Sequence, residues 1–286
     1  MFLKQFKTEM SLAKTRHTDA MRKQFGLLIV LLLLLPIAGC AALDVEQGGF
    51  NLISLDEEWS MRDDMIAQVQ QEYTLVTDGR SIAYLNQIGR QIVAQTKLGN
   101  RQWTFGIVDD PGVNAFNLPG GVVFVNRGLI QRAQTLDQFT AVLGHEIAHG
   151  VARHGTQMMT RSMGIQVLSG VLLGNDAGER KQMLGGLVAS GVLSDYGRDA
   201  ERESDQLGIS FAHAAGFDPK GSIQMFEMLL SLRQSQPNSI AQFFSSHPLT
   251  EERIRRARTL AAQLPDTGSL IHDTQAYRDF RKRNGG

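Results

Sequence analysis

With 286 residues, 42% hydrophobic and 20% charged, the chain is long enough to bury one sizeable core. Lys plus Arg and Asp plus Glu both number 29, so the formal net charge is zero and nothing favours a nucleic acid or a strongly acidic partner. A single cysteine excludes an intrachain disulfide framework and any cysteine-based metal ribbon.

That cysteine's position carries the next step. Arg22 and Lys23 precede an apolar run over residues 27–37, shorter than the ~20 apolar residues that span a bilayer; this is a signal-peptide pattern. Ile37-Ala38-Gly39-Cys40 resembles the lipobox of bacterial lipoproteins. The resemblance implies a signal peptide over 21–39 and an acylated Cys40 that anchors the mature chain to a membrane; an ordinary signal peptide with an incidental cysteine is the alternative. Residues 1–20 fit no part of this signal and are expected to be a non-native extension ahead of a true start at Met21. Ala41 and Ala42, where sorting rules would read an aspartate, favour the outer membrane.

After a tether over 40–52, Ser54 with Glu57 three residues on predicts a capping box and a helix through Gln71. Ile82, Leu85, Ile88, Ile92 and Val93 recur at helical spacing and predict a second helix over 81–96. Alternation of Trp103, Phe105 and Ile107 predicts a strand over 102–108. Residues 113–125 are two extended pieces around Pro119-Gly120-Gly121, with Asn114, Ala115 and Phe116 expected on an open edge strand that a peptide substrate pairs with; Val122 to Val125 also suits a core strand.

Gly144-His145-Glu146-Ile147-Ala148-His149-Gly150 then reads as H-E-x-x-H, on a helix whose buried side is Phe139, Val142, Leu143 and Ile147. Residues four apart share a helix face, so His145 and His149 can present imidazole nitrogens to one cation. Glu146 projects about 100° round the axis, near the cation without binding it, where it can accept a proton from an activated water. Residues 163–193 are rich in Gly, Leu and Val, but Asp176, Glu179, Arg180 and Lys181 divide them into pieces too short to span a membrane, and a lid of helices and loops is expected.

A catalytic zinc takes three protein ligands, so one more is needed. Glu201 and Asp205 lie four apart; one can bind the metal while the other accepts the N–H of a ligand histidine. Glu203 competes for the third position from a different helix face, and His154, five residues past His149, is expected to point elsewhere.

Four ordered stretches, 113–129, 144–150, 201–208 and 247–254, resemble the HtpX and CAAX prenyl-protease family of zinc endopeptidases, above all its soluble periplasmic lipoprotein branch, over about Ile53 to Leu260. The resemblance implies His145, His149 and Glu201 as ligands of one Zn2+ per chain, Glu146 as general base and Asp205 behind a ligand histidine. Ser204 stands where the family usually has alanine. His247 resembles the family's late histidine, which approaches the open coordination position or the reacting oxygen, and Arg253 a cation that stabilises the oxyanion. A histidine at a helix start and a surface arginine are the plainer alternatives. His213 and His272 are expected to be structural or exposed, and Trp59 and Trp103 to be core.

The expectation is an α+β, mainly α-helical, zincin-like metallopeptidase domain over 53–264, with a small sheet whose edge strand borders the active-site helix. A flexible basic tail over 265–286 would follow. The expected activity is hydrolysis of internal bonds in misfolded or unassembled envelope polypeptides, by a protein lipid-anchored on the periplasmic side of the envelope. An assembly chaperone with a latent or structural zinc is the alternative.

Overall fold

Ser54 accepts the Glu57 N–H (3.3 Å) while the Glu57 carboxylate accepts the Ser54 N–H (2.7 Å), so α1 (Leu55–Ser60) opens on a complete capping box. A computed structural model describes residues 50–161, 186, 196–265 and 268–286, all inside the unit Asp44–Gly286. The upstream extension, the signal segment, Cys40 and the expected lid over 163–193, apart from residue 186, lie outside the described residues.

The single helix expected over 54–71 is two. At Met61 the amide donates to Glu58 O (3.2 Å), a 3₁₀-type bond that tightens the chain before α2 (Arg62–Glu72) begins. Asp78 caps α3 (Gly79–Val93) through the Ser81 N–H, and Leu85, Ile88, Ile92 and Val93 form its buried stripe.

Strands β1 (Thr104–Val108), β2 (Ala115–Leu118) and β3 (Val122–Asn126) form one sheet in the order β1-β3-β2, with β1 parallel and β2 antiparallel to β3. Gly120 and Gly121 turn the hairpin at φ 88° and 71°, and a Cβ on Gly120 would come within 3.0 Å of the Arg62 backbone, so no other residue fits there. β2 is the edge strand, as expected, but Asn114, Ala115 and Phe116 are only 4%, 0% and 9% exposed. The residues expected at an open edge are therefore buried here, and Phe116 stacks on Phe124 and also meets Tyr73 beyond α2.

A short helix, α4 (Arg127–Arg132), leads to α5 (Leu136–Val151), which is buried along almost its whole length between β2, α6 (Arg198–Ala214) and α7 (Lys220–Ser235). Phe105, Phe139, Leu143, Ile147 and Leu229 lie at the centre of the main core, whereas Met65, Val69, Phe116 and Phe124 form a second cluster on the other face of the sheet. Helices α8 (Pro237–Ser246) and α9 (Glu251–Gln263) bring the late residues back to α6 and α7.

The tail departs from expectation. Thr274 caps α10 (Gln275–Arg283), whose Tyr277 and Phe280 are fully buried against Phe139 and Tyr84. Arg281 spends its guanidinium on the carbonyls of Ile130, Gln131 and Gln134, so this cation caps α4 instead of standing free. The two apolar residues three apart dock the segment, and it belongs to the domain.

Candidate metal centre

Helix α5 presents His145 and His149 on one face, as their spacing requires, with the two Nε2 atoms 3.0 Å apart. Helix α6 supplies Glu201, whose Oε1 lies 3.2 Å from His149 Nε2 and 3.0 Å from His247 Nδ1. His247, at the end of α8, brings Nδ1 within 3.3 Å of His145 Nε2. One ligand atom from each of His145, His149, Glu201 and His247 thus falls within 4.8 Å of every other, and all four residues are buried. Three imidazole nitrogens and a carboxylate converging out of water is the donor set that zinc and its transition-metal neighbours take. The residues present fit such an ion.

Close approach of the two helices makes this possible. A Cβ on Gly144 would lie 2.8 Å from Gly208 O, and one on Gly208 would lie 2.8 Å from His145 N. Glycine at both positions lets α5 and α6 touch through their backbones, which sets the reach from His145 to Glu201.

Asp205, one turn after Glu201, places Oδ1 3.1 Å from His145 Nδ1, the ring atom facing away from the cluster. Glu203, the competing ligand, lies outside the cluster and faces His154 instead, at 3.3 Å. Arg253 is buried: Nε and Nη2 both donate to Asp205 at 2.7 Å, while Nη1 donates to Pro248 O (3.0 Å) and lies 2.5 Å from Glu201 Oε2. The sequence expectation set this guanidinium facing the reacting oxygen. Here its planar fork is matched to the carboxylates behind the cluster.

The electrostatics follow from burial among these charges. Burial alone would lower the His145 pKa, but the carboxylates of Glu201 and Asp205 outweigh it and push it up to about 10. Burial would raise Glu201, yet His247 and His145 hold it well below the usual carboxylate range. Glu146 is raised, burial prevailing over His247 and His145, and His247 Nε2 lies 3.4 Å from its Oε1. A carboxyl raised in this way, beside the cluster and outside it, is suited to hold a proton in transit.

Two neighbours of His149 correct the sequence reading, which did not single out Tyr196 and expected His154 to point elsewhere. Tyr196 stacks on its ring, centroids 3.9 Å apart. His154 Nδ1 lies 3.0 Å from His149 Nδ1. Five residues of continuous helix would have turned His154 away, but α5 ends at Val151 and Arg153 adopts φ 61°, which swings the following residue back. No sequence pattern at Arg153 announces that turn.

The chain matches the family model described as Peptidase family M48 over residues 80–261. It is 31% identical over 233 residues to the mitochondrial metalloendopeptidase OMA1 of Schizosaccharomyces pombe, covering 79% of this chain and 68% of that one. It is 26% identical over 247 residues to the beta-barrel assembly-enhancing protease of Yersinia pestis, covering 83% and 49%, and 26% over 233 residues to that of Escherichia coli, covering 77% and 47%. The chain spans about half the length of these two bacterial relatives. Because the family match takes in well over half of the sequence and includes all four residues of the buried cluster, the chain belongs to peptidase family M48 and is a metalloendopeptidase.

Proposed function

We propose that this protein cleaves internal peptide bonds of misfolded or unassembled envelope proteins, using one zinc ion held by His145, His149 and Glu201. The observation that carries the reading is the buried convergence of those three side chains beside Glu146. A bound zinc supplies Lewis acidity towards the scissile carbonyl and the attacking water. Glu146 takes the proton of that water and passes it to the leaving amine. Asp205, with Oδ1 3.1 Å from His145 Nδ1, faces the back of that ring and holds its Nε2 towards the cluster. Arg253 positions Glu201 and Asp205, and its paired bonds keep the Asp205 carboxylate ionised. A substrate strand pairs with the backbone of Asn114, Ala115 and Phe116 once the covering of β2 has moved aside.

The envelope setting draws support from the lipobox-like sequence at Cys40 and from the names of the Yersinia pestis and Escherichia coli relatives, which are called beta-barrel assembly-enhancing proteases. Within the family, the reading assigns the chain to the soluble periplasmic lipoprotein branch, anchored through Cys40 at the outer membrane. Among the described residues no helix is long and apolar enough to cross a membrane. The test is a casein-type cleavage assay on the purified protein beside Glu146→Gln, with zinc quantified in both. One zinc per chain in both proteins, and cleavage lowered at least about 10²-fold in the variant, is the expected result. Full cleavage by Glu146→Gln would remove the mechanism, and holding of unfolded outer-membrane proteins unaffected by loss of zinc and of Glu146 would favour the chaperone alternative.

A second reading rests on His247. It is fully buried, with Nδ1 3.0 Å from Glu201 and 3.3 Å from His145, so it occupies the place a substrate carbonyl would need. In this reading the enzyme is latent until His247 withdraws.

A further inference from the structure

His154 has no part in the scheme above, yet it is buried and bonded on both ring nitrogens. Its Nδ1 lies 3.0 Å from His149 Nδ1, and its Nε2 lies 3.3 Å from Glu203 Oε2. Ser204 Oγ stands 3.3 Å from the same Nδ1. His149 points Nε2 into the cluster, so its own ring proton belongs on Nδ1. The only acceptor within reach among the contacts described is the His154 Nδ1 lone pair. His154 then carries its proton on Nε2, where the Glu203 carboxylate accepts it. Each ring proton has one place, and the line runs carboxylate, imidazole, imidazole.

We infer that Glu203, His154 and His149 form a hydrogen-bonded relay that fixes the tautomer and ring direction of His149, making His154 a positioning residue for that ligand. The inference rests on the reading that His149 binds the metal. It accounts for two residues that ligand counting left aside: Glu203, on the wrong helix face for the cluster, and His154, beyond the helix end. Asp205 does for His145 directly what Glu203 does for His149 through one more ring. Side-chain exposure is 2% for His154 and 32% for Glu203, so the relay runs from the site to the surface of α6.

Zinc affinity of the purified full chain, measured by competition with a chromophoric chelator, tests this without reference to activity. His154→Leu is expected to bind zinc about 10- to 100-fold more weakly than wild type, the usual cost of losing a ligand's outer partner. His154→Asn, whose amide oxygen can stand near the position of Nδ1, is expected to recover most of that loss. A packing role predicts the reverse order, since leucine fills a buried apolar space better than asparagine. Glu203→Ala is expected to weaken binding severalfold, and it decides the matter if circular dichroism shows that His154→Leu fails to fold. Wild-type affinity in Glu203→Ala, or no advantage of asparagine over leucine, would overturn the relay while leaving the metal site standing. Absence of bound zinc in the wild type would overturn both.

Discussion

Gly144 and Gly208 meet backbone to backbone where α5 crosses α6, with a Cβ on Gly208 predicted to fall 2.8 Å from the carbonyl carbon of Gly144. No flexible side chain is there to yield, so Gly208→Ala must push the helices apart. A loss of about 1–3 kcal/mol in urea unfolding is expected, the range for overpacking, together with weaker zinc binding because His145 retreats from Glu201. Gly197→Ala, which meets nothing within 4 Å, is the control and should stay within about 0.5 kcal/mol of wild type.

Arg253→Ala removes the partner of two buried carboxylates. Asp205 and Glu201 would keep their desolvation without its compensation, so destabilisation of about 3–5 kcal/mol is expected. Arg253→Lys should recover only part of this, because an ammonium cannot span both Asp205 oxygens and reach Pro248 O. Urea midpoints of the three proteins check the order.

His247→Ala separates assistance from latency. Given its complete burial against Glu201 and His145, the expected outcome is a rise in basal cleavage, roughly tenfold for each 1.4 kcal/mol that the contact contributes to the closed state. A fall in kcat with zinc retained would instead assign His247 to the reaction itself.

His272 donates from Nδ1 to Asp137 Oδ2 at 2.7 Å, and that bond, followed by the charge of Asp137, raises its pKa. A raised folded-state value stabilises fully below the ordinary value near 6.5, and the benefit is lost as pH climbs through the raised value. His272→Ala should therefore lower Tm at pH 6 and have a smaller effect at pH 9. The ring is 55% exposed, so screening limits the difference to about 1 kcal/mol or less.

How far the sequence alone reached depends on the range of each interaction. The capping box at Ser54, the apolar stripe of α3, the glycine turn between β2 and β3, and the pairs His145 with His149 and Glu201 with Asp205 all depend on neighbours within a few residues. Helical and extended geometry place such residues relative to one another before any tertiary contact forms, so their pattern could be read directly. Even here, local rules failed where a longer contact intervened: Tyr277 and Phe280 dock a tail whose cations suggested disorder, and Arg153 breaks the helix that would have turned His154 away.

What the sequence determined by itself was therefore which side chains share a face: two histidines with a glutamate beside them, and two carboxylates one turn apart. Only the tertiary structure decided that Gly144 meets Gly208, that Glu201 enters the cluster while Asp205 stands behind His145, that Arg253 faces those carboxylates, and that β2 is covered. The contacts that build the site join distant segments, 48 residues apart for Arg253 with Asp205 and 102 for His247 with His145, and their geometry is set by how helices pack, which no local pattern encodes.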